Sequence, residues 1–196
     1  MKALVDLAKD RNITILSDEV YSEYSFKPFH SILEFDGVKS ICASSFSKSY
    51  GMTGFRVGYA ISDVNSIRKI SKIQALASTS VPEFIQYAAV EALKCKDDVR
   101  RYANAVSRRV GLVCKELSKM GLSYYEPDGA FYVFPKIGKD NSFNSGKFAL
   151  DLLKEKSVGV APGTTFGDYS DFIRISACQS ERSLLEGLKR IGEFLK

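Results

Sequence analysis

The chain has 196 residues, 45% of them hydrophobic and 26% charged; this is globular rather than disordered usage, with room for one sizeable domain or two smaller ones at ~100–200 residues each. Its 28 Lys and Arg against 23 Asp and Glu leave a net charge of +5. The densest basic cluster, Lys94–Arg101, also holds Asp97 and Asp98, so a nucleic-acid-binding face is not expected.

In chain order, Ala3–Asp10 carries a helical apolar pattern at Leu4, Leu7 and Ala8, and Ile13–Leu16 follows as a short β-rich run. Val38–Ala43 and Phe55–Ile61 read as two further strands. Short β-branched runs separated by helical or loop segments predict an α/β sheet with covered faces. Asp63 is placed to cap a helix bearing Ile67, Ile70, Ile73 and Leu76, and Pro82 to begin another. That second helical stretch is expected to run, straight or bent, from 82 to 119, stop at Gly121, and cross between two lobes near residue 97. Leu122–Tyr125 and Ala130–Phe134 look like strands joined by the Pro127-Asp128-Gly129 turn, then a helix at Gly146–Lys156 and strands at Val158–Ala161 and Phe172–Ala177. A last helix carries Leu184, Leu185, Leu188, Ile191 and Leu195, completing an α+β lobe.

No run of 18 apolar residues is present, so no membrane span is predicted, and the first ten residues lack the apolar core of a signal peptide. Cys42, Cys95, Cys114 and Cys178 are scattered, which reads as reduced thiols in a cytoplasmic protein. With His30 the only histidine, neither a metal site nor a Ser-His-Asp triad is expected, and His30 itself reads as a loop residue.

In open α/β sheets ligands gather at the carboxyl ends of strands. Two such ends are polar here: Ser17-Asp18-Glu19-Val20-Tyr21 after the first strand, and Ser44-Ser45-Phe46-Ser47-Lys48-Ser49-Tyr50-Gly51 after the second. From the residue types alone, Asp18 is equally readable as a helix cap and Lys48 as a solvated loop lysine. Glu19 flanks a better-explained motif, and Asp97–Asp98 sits in a charged helix face.

The segment Ser45–Tyr59 closely resembles the lysine segment of the class I/II, fold type I, pyridoxal-phosphate-dependent aminotransferases, in the manner of aspartate aminotransferase. Asp18-x-x-Tyr21, Pro127–Tyr132, Gly159–Gly163 and Phe172–Ser176 resemble four further motifs of that family, in order along the chain. The resemblance implies that Lys48 holds pyridoxal 5'-phosphate as a Schiff base and moves the proton in transamination. It implies that Asp18 pairs with the pyridine nitrogen and that Tyr21 donates to the 3'-oxygen. Ser45, Ser47 and Arg56 would hold the phosphate, and Arg174 the substrate α-carboxylate. Tyr50 and Met52 either shape the cofactor surroundings or simply pack.

Family members are roughly twice as long, and their glycine-rich phosphate cup and Asn-Pro motif are not found here. The match is to the carboxyl-terminal half: 1–97 as part of the large cofactor domain, with three of its strands, and 98–196 as the small substrate-closing domain. A strand from the absent half is expected between those at 13–16 and 38–43, leaving a gap, and residues 1–97 should expose apolar surface. The expected activity is amino-group transfer from an amino acid to a 2-oxo acid, with cofactor binding weak in this chain alone. Homodimerisation, or association with an amino-terminal half, is expected to accompany it. The alternatives are a split or truncated non-catalytic chain, another pyridoxal-phosphate lyase chemistry and, remotely, a serine hydrolase using Ser45-x-x-Lys48. The hydrolase reading also needs S-D-N and K-T-G elements, which the sequence lacks.

Overall fold

A computed structural model describes residues 1–138 and 143–196 and divides into two compact units, Met1–Ala103 and Asn104–Lys196.

In the first unit α1 (Lys2–Asp10) leads to β1 (Ile15–Asp18), and β2 (Ser40–Ser45) and β3 (Gly58–Ile61) follow. They form one sheet in the order β1-β2-β3, with β2 parallel to β1 and antiparallel to β3. The expected gap between the first two strands is not there. Ile15 pairs with Ser40 and Asp18 with Ala43, and the Glu19 N–H still donates to Ala43 O at 2.8 Å. Each strand edge has one set of hydrogen-bonding groups, so a directly paired ladder leaves no slot for a third strand.

Two 3-10 turns, Ser22–Tyr24 and Ile32–Glu34, occupy the crossover from β1 to β2, where an α-helix is commoner. The second is fixed by a capping box: Ser31 accepts at its hydroxyl while Glu34 reaches back to the Ser31 N–H. Ile32 is thereby buried with Val5 and Cys42 in one small core; Phe46, Met52, Val57 and Ala89 form another. On α1 the buried positions are Val5 and Ala8, whereas Leu4 and Leu7 remain exposed.

The Asp63 carboxylate accepts from Asn65 and Ser66 N–H groups and starts α2 (Val64–Ser78), as its residue type leads one to expect. Pro82 stands just before α3 (Glu83–Ala92) rather than inside it. The single stretch expected from 82 to 119 is two helices. Lys94 and Cys95 donate to carbonyls three residues back, at Glu91 and Ala92; this tightened turn ends α3. α4 (Lys96–Lys119) then begins with Asp97 and Asp98 in its first turn, where carboxylates suit the helix dipole.

In the second unit Val106, Val110, Val113 and Leu117 of α4 are buried, and Gly121 at φ +73° allows the chain to leave the helix. There follow β4 (Ser123–Tyr124), β5 (Tyr132–Val133), β6 (Pro135–Lys136), α5 (Ser145–Lys156), β7 (Ala161–Pro162), β8 (Ile173–Ser176) and α6 (Glu181–Phe194). β4 does not pair with β5, the neighbour that the turn at 127–129 suggests. It pairs with β6, while β5-β8-β7 form a separate antiparallel sheet. Of the expected strand at 158–161 only its end, Ala161, is paired. Among the described residues no helix is long and apolar enough to cross a membrane.

Candidate active site

Parallel pairing of β1 with β2, and the antiparallel return of β3, bring three chain segments to one edge of the first unit's sheet. Asp18 is the last residue of β1 and Ser45 the last of β2; Ser45 faces Gly58, the first residue of β3. Asp18 Oδ1 accepts the Val20 N–H at 3.2 Å, turning the chain outward while the side chain stays exposed. Tyr21 follows, and Lys48 Nζ lies 5.8 Å from the centroid of its ring.

The lysine sits in a loop that closes on itself. Phe46 O accepts the N–H groups of Tyr50 and Met52, and Lys48 O accepts that of Gly51, whose φ is +64°. Phe46 and Met52 are buried beneath this loop, so its base is apolar while Lys48 remains half-buried above. A second tie comes from Tyr24: its ring is buried and its hydroxyl donates to Lys48 O at 3.0 Å.

Ser45 Oγ accepts the Ser47 N–H at 3.0 Å and directs its own hydrogen to Ser47 Oγ at 2.8 Å or Val57 O at 3.2 Å. Arg56 is exposed and left-handed at φ +53°, with Nη1 donating to Thr53 O at 2.9 Å. A non-glycine residue in that conformation stores about 1–3 kcal/mol, a kind of strain that collects at functional sites. Gly58 is required next to it: an added Cβ would meet Ser44 O at 2.7 Å. The edge thus gathers Asp18, Tyr21, Ser45, Ser47, Lys48 and Arg56.

Behind Asp18 the carboxylate of Glu19 is buried. It accepts from Ile32 N–H at 2.9 Å and Ser17 Oγ at 3.0 Å. Burial pushes its pKa up, but the donors Ile32, Ser31, Ser17 and Cys42 outweigh burial and hold it below the ordinary value. Burial, then Glu19, pushes the adjacent Cys42 thiol up to about 11. Glu19 therefore joins the end of β1 to the turn at 31–32. The strand period carries that signal, because alternation from Ile15 through Ser17 points Glu19 inward. The role of the Tyr24 hydroxyl has no comparable signal, since it depends on a contact with a residue far along the chain.

Arg174 belongs to the second unit. Ile173 and Ile175 of β8 are buried, and strand alternation puts Arg174 on the opposite face. Its Cζ lies 4.1 Å from the ring centroid of Tyr132 and 4.4 Å from that of Phe166. Among the described residues no carboxylate pairs with it.

An amine, a carboxylate, a phenol, two hydroxyls and a guanidinium on one sheet edge suit a group bearing an aldehyde, a basic ring nitrogen and a phosphate. The residues present fit pyridoxal phosphate by this donor chemistry.

Comparison with known proteins points the same way. The family profile described as aminotransferase class I and II matches residues 1–191. An aspartate aminotransferase from Thermococcus kodakarensis is 39% identical over 198 residues, covering 100% of this chain and 51% of the relative. A (5-formylfuran-3-yl)methyl phosphate transaminase from Methanocaldococcus jannaschii is 40% identical over 187 residues, covering 92% of this chain and 50% of its own length. The crystal structure of a Thermotoga maritima aspartate aminotransferase matches 99% of this chain and 51% of that one, at 38% identity and a TM-score of 0.91. The chain spans about half the length of the curated relatives it matches. A family match of this extent, together with the sheet edge carrying Lys48, makes the chain a member of the class I and II aminotransferases.

Proposed function

We propose that this chain carries the lysine side of a pyridoxal-phosphate-dependent aminotransferase, moving an amino group from an amino acid to a 2-oxo acid in the cytoplasm. The observation that carries the reading is the sheet edge on which Asp18, Tyr21, Ser45, Ser47, Lys48 and Arg56 gather. When bound, pyridoxal phosphate supplies an aldehyde for amine exchange and a ring that accepts the electron pair released at the substrate α-carbon. The Lys48 amine would hold the group at its aldehyde carbon, with loss of water, and, when released, would take and return the α-carbon proton. Asp18 would pair with the ring nitrogen and favour its protonated form, and Tyr21 would donate to the 3'-oxygen. Arg56 with the Ser45 and Ser47 hydroxyls would bind the phosphate, and Arg174 would orient the substrate carboxylate.

The first unit's exposed apolar side chains favour a working form in which further polypeptide covers them. We assign that role to a chain equivalent to the other half of the relatives, with a second copy of this chain as the competing partner. The test is borohydride trapping with pyridoxal phosphate followed by peptide mapping, on this chain alone and mixed with such a half. Label at Lys48, stronger in the mixture and absent in Lys48→Ala, is the expected result. Label at a different lysine overturns the assignment.

A further inference from the structure

Arg174 is held in a way that its sequence neighbours do not announce. In the antiparallel pair β5–β8, Tyr132 stands opposite Ser176, so the two side chains share a face, and Arg174, two residues from Ser176, shares it too. The register therefore delivers the Tyr132 ring diagonally to the guanidinium, at 4.1 Å. The second ring arrives by another route. β7 pairs Ala161 with Arg174 and runs directly into the 3-10 turn Gly163–Phe166, which carries Phe166 to 4.4 Å from Cζ. That turn needs glycine at its start, since a Cβ on Gly163 would collide with the backbone oxygens of Tyr169 and Phe172. Phe166 is braced in turn by Phe134, edge-on at 5.7 Å, which stacks on Phe172 at 5.1 Å.

Accepting the reading of Arg174 given above, we propose that Tyr132 and Phe166 are positioning residues that make Arg174 a carboxylate receptor. An arginine side chain has many rotamers, and ordering it on binding costs free energy. Two ring faces within cation–π reach fix the guanidinium before ligand arrives. They attract its charge without consuming its N–H donors, which stay available to an anion in the fork geometry that suits a carboxylate. A salt bridge would also fix the side chain, but it would occupy those donors.

The test uses the full 196-residue chain, needs no cofactor, and reads the modification of Arg174 by phenylglyoxal, mapped by peptide mass, against added sodium propionate. Sodium chloride at equal ionic strength is the control, and exposed Arg100 is the internal reference. In the wild-type chain propionate should slow modification of Arg174 and leave Arg100 unaffected. Tyr132→Leu and Phe166→Leu should each raise the half-protecting concentration about threefold to tenfold. Phe166→Tyr, which keeps the ring, should restore it to within about twofold of wild type on the same grounds. Protection that is unchanged in both leucine variants overturns the positioning role and leaves the carboxylate reading standing. No protection in the wild type overturns both. If a leucine variant unfolds, the wild-type chain still decides by NMR: the Arg174 side-chain signals must lie upfield from ring currents, and unshifted signals defeat the proposal.

Discussion

The two units use similar elements to opposite effect. In the second, Leu117, Leu152, Ile173, Ile191 and Val133 are buried to within 2% exposure, and helices α4, α5 and α6 each contribute to that core. In the first, α2 buries no residue at all, all four residues of β3 are exposed, and Leu76 is 90% and Phe84 72% exposed. Composition does not explain this, because α2 bears a normal apolar stripe at Ile67, Ile70, Ile73 and Leu76. Amphipathic patterning says that a helix face is meant to be covered; it does not say by what. The proposed chemistry follows the opposite trend, for it is the less covered unit whose sheet edge carries Lys48 and the other five residues of the candidate site.

Hydrogen exchange tests this contrast most severely. An isolated helix of α2's length is marginal in water, so its amides should open at almost no cost, while those of α6 and β8 should open only with their core. Protection factors in α6 should exceed those in α2 by at least about a hundredfold. Equal protection would break the comparison and mean that α2 is covered in solution. Protection of α2 that rises with protein concentration would identify the cover as a second copy of the chain.

Side-chain truncation sharpens the same contrast residue by residue. Leu152→Ala removes a fully buried side chain from the second unit and should cost about 2–5 kcal/mol, read by denaturant unfolding. Leu76→Ala removes a side chain of the same size from α2 and should stay within about 0.5 kcal/mol. If a complementary chain covers α2, the Leu76→Ala penalty should appear only in its presence.

Within the first unit, the anchor behind the candidate site is Glu19. Glu19→Ala leaves the buried Ile32 N–H without its acceptor and should cost about 1–3 kcal/mol. The pH dependence has a definite sign. The folded pKa of Glu19 lies below the ordinary value, so its stabilising contribution is fully present above the unfolded pKa. That contribution is lost as pH falls through the lower, folded one. Unfolding titrations between about pH 5 and pH 2 should therefore converge for wild type and Glu19→Gln. Parallel curves would show that the carboxylate is not ionised in the folded chain.

The sheet edge was legible because its residue types and spacings are local: Asp18 and Tyr21 lie in one turn, and Ser45 through Arg56 in another. Strand ends moved by a few residues, so Asp18 lies inside β1 rather than after it. What could not be read depends on long-range pairing. Direct pairing of β1 with β2, the choice of β6 over β5 by β4, and the two rings on Arg174 are set by register between segments distant in sequence. A strand pattern specifies a face to bury but does not name the neighbouring strand. The break at 93–95 escaped for a different reason: both flanking segments are good helix formers, and neither proline nor glycine marks the junction.

The smallest expected effect concerns the helix that the first unit leaves uncovered. The Asp63 carboxylate accepts from the N–H groups of Asn65 and Ser66. Hydrogen bonds from the Ser66 side chain and backbone hold its pKa below the ordinary value. A helix with no fully buried residue relies mainly on its cap and internal hydrogen bonds to hold its first turn. Asp63→Ala should therefore speed exchange at the first amides of α2 while leaving protection in α6 and the unfolding midpoint of the second unit unchanged. The same fraying should appear in the wild type as pH falls through the lowered pKa, because protonation removes the charge that both N–H groups address. Asp63→Asn keeps a capping oxygen without the charge. It should match wild type at neutral pH to within the charge's share of the cap and lose the acid dependence altogether. An α2 that ignores all three changes would have to be held by packing, which is the outcome that most directly contradicts an uncovered helix.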